Sequence, residues 1–204
     1  MRIKLTFTPI NQCIIPINYQ YPLSSAIYKI LSNENLEYSK WLHDNGYLDP
    51  YNKPRKLFVF SNLYIFPKPT ICNQYIIITP NSIITLFISS IIINDFINNF
   101  IKGIFKNHKF EIFSDGIKGE FLIQKIETFK EITFNTKMNY YCISPILLST
   151  LKNHNGKLSQ YYYRPDDEQL SEAIKNNLLK KYELIYKSKI EPSFFKFNFD
   201  YKYI

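Results

Sequence analysis

Apolar and polar residues alternate strictly at the start of the chain. Ile3, Leu5 and Phe7 lie on one side and Arg2, Lys4 and Thr6 on the other, so residues 2–8 predict a half-buried strand. A turn-rich stretch with Pro16 and Asn18 follows. The period then becomes helical. Pro22, Ser24 and Ser25 are start signals, and Ile27, Ile30 and Leu31 fall on the inner face. After Ser32 and Asn33, residues 36–43 fit a second helix, with Trp41 and Leu42 inward and Gly46 as its C-terminal cap. Residues 47–55, with Asp49-Pro50 and Lys53-Pro54, read as a loop. Residues 56–65 (KLFVFSNLYI) are rich in aromatic and β-branched side chains and predict a strand.

Two apolar runs, 75–79 and 83–88, flank Pro80-Asn81-Ser82 and predict a hairpin. Ser89 or Ser90 caps the next helix, in which Ile93, Phe96, Ile97, Phe100, Ile101 and Ile104 recur at helical spacing. Strands over 110–113 and 120–129 complete a β-α-β-β-α-β succession, the ferredoxin-like plan of an α+β fold. A second block starts near Glu131. It predicts a strand over 133–143 ended by Ser144-Pro145, then a helix with Asp166, Asp167 and Glu168 at its start. Ala173, Ile174, Leu178, Tyr182 and Ile185 form that helix's inner face. In the last segment Phe195, Phe197, Phe199, Tyr201 and Tyr203 alternate with polar residues, again a strand. The expected domains are 1–130 and 131–204, the second an incomplete version of the first plan.

Composition narrows the class. The chain has 204 residues, enough for one large domain or two small ones. Aromatic residues make up 17%, which excludes intrinsic disorder. Cys13, Cys72 and Cys142 are far apart and odd in number, so neither a disulfide framework nor a CxxC zinc half-site is expected, and a reducing cytoplasm fits best. No signal peptide is evident in MRIKLTFTPI. The most apolar run, 83–93, is broken by Thr85, Ser89 and Ser90 and falls short of the roughly 20 residues a membrane helix needs. The formal charge is +8, from 25 Lys plus Arg against 17 Asp plus Glu, which suits a polyanionic partner. Heavy use of Ile, Asn and Lys also points to an AT-rich genome, so part of the lysine excess reflects codon usage.

Candidate chemistry is sparse. With 5 Gly there is little room for a glycine-rich phosphate loop, and no GxGxxG, HExxH or GxSxG is present. Asp166, Asp167 and Glu168 read as a helix start, not a metal site. His108 and His154 sit in polar surroundings expected to be solvated loops. His43 ends a helix beside Trp41 and precedes a basic loop; taken alone it reads as a cap on the last helical carbonyls.

The strings YQYPLSSAIYKIL (19–31), WLHDNGY (41–47), RKLFVFSNL (55–63), CISPI (142–146) and NNLLKKYELIY (176–186) change that weighing. In this order they resemble the CRISPR-associated endoribonucleases that cut repeat RNA into guide units, the sixth Cas family of the RAMP superfamily. The resemblance spans the whole chain and implies tandem ferredoxin-like (RRM-like) domains. It also implies a cleavage site with a Tyr on the first helix, a His shortly after it and a Lys at the next strand, matched here by Tyr28, His43 and Lys56. The implied chemistry is metal-independent attack of a ribose 2′-hydroxyl on the adjacent phosphorus, giving 2′,3′-cyclic phosphate and 5′-hydroxyl ends, with no cofactor. An imidazole with an ordinary pKa near 6.5 suits either proton transfer. A lysine can neutralise the phosphorane oxygens, and a tyrosine can hold the attack geometry.

Lys53 and Arg55 flank the same loop as candidate substrate-binding residues. Tyr28 would also serve as a core-edge aromatic, and Lys56 as an ordinary strand-entry lysine. Lys102, Lys106, Lys109, Lys118, Lys125, Lys130 and Lys137 supply further positive charge. One departure stands out: the family's glycine-rich loop near the C-terminus has no counterpart, which makes a shortened chain or a natural short form the expectation. The leading reading is an endoribonuclease acting on CRISPR repeat RNA. The alternatives are a catalytically weak RNA-binding subunit and a structural RAMP-like subunit. CRISPR repeat RNA is the expected partner, no membrane is involved, and other CRISPR effector subunits and a homodimer are left open.

Overall fold

The computed structural model describes residues 1–129, 133, 135, 147–154 and 156–191. These form two compact units, one of residues 1–47 with 55–133, the other of 48–54 with the described residues from 135 onward. The strands expected over 133–143 and 195–203, and the CISPI string, lie outside the described residues.

In the first unit β1 (Arg2–Pro9) and β2 (Cys13–Pro16) precede α1 (Gln20–Glu34) and α2 (Leu36–Asp44). A small hairpin, β3 (Tyr47–Leu48) with β4 (Pro54–Arg55), leads to β5 (Phe58–Phe60) and β6 (Tyr64–Phe66). Then come β7 (Thr70–Cys72), β8 (Tyr75–Ile78) and β9 (Ile83–Ser90). A π-helical turn (Ile93–Ile97) runs into α3 (Asn98–Lys106), followed by β10 (Lys109–Ser114) and β11 (Ile117–Thr128). The main sheet has the order β10-β11-β1-β9-β5, with β6 also on β9, and its pairs are antiparallel. With α1 and α3 this is the ferredoxin-like plan, β10 being an added edge strand.

The alternation of β1 dictates its central place. Leu5 faces Leu86 on one side and Ile126 on the other, and Phe7 faces Ile84 and Ile123. Ile3, Leu5 and Phe7 join Ile84, Leu86, Ile88, Phe121 and Ile123 in one buried core with Leu23, Ile27 and Leu31 of α1 and Phe100 and Ile104 of α3. Phe7 meets Phe110 edge-on at 4.8 Å and Phe121 at 5.5 Å, an arrangement aromatic rings prefer to face-to-face stacking.

The structure corrects several expectations. Strands β8 and β9 are not a hairpin: β8 lies between β2 and β7 in a separate three-stranded sheet, whereas β9 pairs with β1, β5 and β6. Short apolar runs around a turn do not specify partners, and β9 matches the core face of β1 along its whole length. The turn is a sheet-to-sheet corner closed by Ser82 N donating to the Thr79 carbonyl at 3.0 Å. The single strand expected over 56–65 is two, because the Ser61 hydroxyl takes the place of a ladder acceptor for Phe87 N at 3.0 Å. Residues 13–16 are strand, not turn. Ser89 and Ser90 end β9, and the Ser90 hydroxyl accepts from Ile92 N at 3.0 Å before the π-turn. Trp41 is 38% exposed, since Leu42 alone occupies the inner position of that turn.

In the second unit β12 (Ser149–His154) and β13 (Lys157–Tyr162) form a hairpin followed by α4 (Leu170–Tyr186). Residues 152–154 are thus strand rather than loop, and His154 ends β12. Asp167 precedes the helix, its carboxylate accepting from Arg164 N and the Tyr161 hydroxyl at 2.7 and 2.8 Å. Leu170, Ile174 and Leu184 are the buried positions of α4, and the expected Leu178 is outward. No helix among the described residues is long and apolar enough to cross a membrane.

Helices α1 and α3 touch at Gly103, where a Cβ would lie 2.1 Å from the Ile30 carbonyl oxygen. Gly103→Ala is therefore expected to cost more than about 2 kcal/mol in a urea melt, because backbone rather than a flexible side chain must move. A midpoint unchanged from the wild-type chain would mean that the helices can part without penalty.

Candidate active site

Asn35 sets the approach of the first two helices. Its backbone N–H donates to the Leu31 carbonyl, ending α1, and its side chain accepts from Tyr38 N at 2.9 Å, starting α2. One residue thus serves both caps and forces a tight turn. Buried Ser39 then ties the helices together, its hydroxyl donating to the carbonyl of Tyr28 at 2.8 Å. Leu42 fills the core, which turns the following residue, His43, outward toward α1. The rings of Tyr28 and His43 meet edge-on with centroids 5.1 Å apart.

The end of α2 determines where the third residue sits. Gly46 adopts φ +65°, and its N–H joins that of Asn45 on the Trp41 carbonyl. A Cβ there would lie 2.9 Å from the Arg55 carbonyl, so the chain entering β5 passes directly against the helix end. Lys56 follows immediately. Its Nζ donates to the carbonyls of Leu42 and His43 at 2.6 and 2.5 Å. Lys56 precedes β5 rather than lying within it.

Behind Tyr28 stands a row of rings. Phe58 meets it edge-on at 5.8 Å, and Phe96, presented by the π-turn, stacks on Phe58 at 4.5 Å. Burial pushes the Tyr28 phenol above its ordinary pKa, so it stays a neutral donor at neutral pH. Burial pulls the Lys56 ammonium below its ordinary value, against the opposing charge of Asp44. His43 is largely exposed, with Nδ1 2.8 Å from Asp44 Oδ1. The three groups therefore offer a neutral hydroxyl, an accessible imidazole and an ammonium. Two of the ammonium's three donors are already directed at protein carbonyls.

Tyr28, His43 and Lys56 all lie in the first unit and are linked by direct contact, while Arg55 approaches this end of α2 through its backbone. Lys53 belongs to the second unit, where its N–H donates to Asp49 Oδ1 at 2.9 Å. Three of the lysines expected to add mid-chain charge are in ion pairs: Lys106 with Glu34, Lys118 with Glu111 and Glu120, and Lys125 with Glu127. Lys130 and Lys137 lie outside the described residues. His108 is exposed. Among the described residues no group of three or more His, Cys, Asp or Glu could hold a metal ion. Sequence reasoning overlooked Ser39, Asp44 and Phe58; for Asp44 the available signal was its place beside His43.

Known proteins resemble the chain as a whole. Two family models match the chain: CRISPR-associated protein Cas6, N-terminal, over residues 14–127, and CRISPR associated protein Cas6, C-terminal, over 127–204. The CRISPR-associated endoribonuclease Cas6 1 of Methanocaldococcus jannaschii is 35% identical over 195 residues, covering 95% of this chain and 70% of that protein. A CRISPR-associated endoribonuclease-like Cas6 protein of Pyrococcus furiosus is 26% identical over 188 residues, covering 89% of this chain and 70% of its own. A solved Cas6 structure superimposes with TM-score 0.66 at 36% identity, over 94% of this chain and 73% of that one. A solved RAMP protein at 23% identity superimposes with TM-score 0.71 over 94% of this chain and 74% of its own, a likeness of fold.

Replacing Lys56 by Met keeps the apolar stem and removes the ammonium. The Leu42 and His43 carbonyls then lose a charged donor, and the expected loss is about 1–2 kcal/mol of stability. Amide exchange faster at Asn45 and Gly46 than in the rest of the first unit would locate the loss. Uniform exchange across the unit would contradict it.

Proposed function

This chain belongs to the Cas6 family, and from that premise we propose that it is a metal-independent endoribonuclease that cleaves CRISPR precursor RNA within its repeats. The observation that carries the reading is the meeting of Tyr28, His43 and Lys56, joined by ring contact and by two hydrogen bonds at one helix end. In the reaction the 2′-oxygen forms a bond to phosphorus as the bond from phosphorus to the 5′-oxygen breaks. The 2′-proton leaves to a base and the departing oxygen gains a proton, yielding a 2′,3′-cyclic phosphate and a 5′-hydroxyl.

His43 carries one of these proton transfers, since an imidazole exchanges protons near neutral pH and its exposure lets a polymer reach it. Tyr28, kept neutral by burial, donates a hydrogen bond that fixes the ribose-phosphate geometry. Lys56 holds the helix end with two donors and directs the third at charge developing on the phosphate. Arg55 and Lys53 bind flanking phosphates. The same reading makes CRISPR repeat RNA the substrate and the cytoplasm the compartment. It divides the chain at 130/131, which the two matched family regions support by meeting at residue 127.

His43→Ala is expected to slow cleavage of labelled repeat RNA by at least about 100-fold, the usual span of general acid–base catalysis, with RNA affinity changed only a few-fold. Cleavage by the wild-type chain should persist in EDTA and vanish when a 2′-deoxynucleotide stands at the scissile position. A strict Mg²⁺ requirement would overturn the mechanism. Binding without any cut would favour an RNA-binding subunit instead.

A further inference from the structure

We propose that Asp44 is the positioning carboxylate of His43, holding the imidazole through Nδ1 so that Nε2 is the nitrogen that exchanges protons with the RNA. The inference rests on the endoribonuclease reading above and adds a residue to it. The contact is Nδ1 to Oδ1 at 2.8 Å. An ionised carboxylate only accepts, so Nδ1 carries the hydrogen there, and in the neutral ring Nε2 is left as the acceptor. The neutral ring is thus a base at Nε2 and the protonated ring an acid at the same atom. Asp44 selects the tautomer and stabilises the charged state without touching the RNA.

The neighbours make this contact consequential. Facing the ring from α1 is Tyr28, whose phenol burial keeps neutral. From the segment before β5 comes Lys56, whose ammonium is bonded to the carbonyl of His43 itself. Asp44 is the full negative charge in direct contact with the ring, so removing it leaves Nδ1 without its acceptor.

The test compares Asp44→Asn, which keeps an acceptor and loses the charge, with Asp44→Ala, which loses both, and Asp44→Glu, which restores a carboxylate. The hydrogen on His43 Nδ1 is read by NMR in the RNA-free chain, its signals identified with a His43→Gln variant. Asp44→Asn should weaken the preference for hydrogen on Nδ1, and Asp44→Ala should abolish it. In single-turnover cleavage at saturating repeat RNA, Asp44→Ala should slow the cut about 10-fold, with affinity changed less than about 3-fold. Asp44→Glu should recover most of the rate. An unchanged Nδ1 hydrogen with normal cutting overturns the role of Asp44 alone, as does a change confined to affinity, which would mark simple repulsion of phosphate. A wild-type chain that binds repeat RNA and never cuts it, whatever the tautomer, overturns the endoribonuclease reading and the role of Asp44 with it.

Discussion

A helix cannot satisfy its own last carbonyls, and at the end of α2 those carbonyls are met by the ammonium of Lys56. Most of the first unit's local architecture serves that junction. Gly46 turns the chain away from the helix with a left-handed backbone and lets residues 55–56 pass without a Cβ in the way. Asn35 and Ser39 lock α2 against α1 at the level of Tyr28. Because Lys56 grips the carbonyl of His43 itself, helix capping and the placement of the imidazole are one interaction. A charge partly removed from water is the cost, seen in the lowered pKa of Lys56.

The features readable from sequence were those whose signal is local and periodic. β1 and α1 followed from periods of two and of three to four residues, and Gly46 from its distance past a helix end. The features missed depend on which surface a segment finds. Residues 75–78 and 83–90 are both good strands, but nothing in either run says that one joins β2 and the other β1. Ser61 interrupts 56–65 only because Phe87 happens to lie opposite it. Tyr28, His43 and Lys56 became a group through a family resemblance, since a span of 28 positions carries no distance information. Asp44 stayed hidden because consecutive residues on a helix do not ordinarily face one another; at the last residues of α2 the ring and the carboxylate do meet.

Charge follows the same logic. A formal excess of +8 suggests a broadly basic surface, yet Lys4, Lys29, Lys106, Lys118 and Lys125 each sit against a carboxylate. Exposed pairs of this kind add little stability, but they neutralise field locally. Attraction for a polyanion therefore depends on where cations are left uncompensated rather than on their total.

The π-turn before α3 carries a constraint on the length of the chain. A π-turn spends one more residue per bond than an α-turn, and here that residue count is what delivers Phe96 to Phe58, and so backs Tyr28. Losing one residue between β9 and α3 would tighten the turn and swing the preceding side chains by about 100° around the axis, emptying the place behind the ring row. This connection thus has no room for a change of length, although it is solvent-facing on one side, whereas a side chain at Gly116 would meet open space. The spacing between Ser90 and Phe100 is therefore a measured length, not slack in a loop.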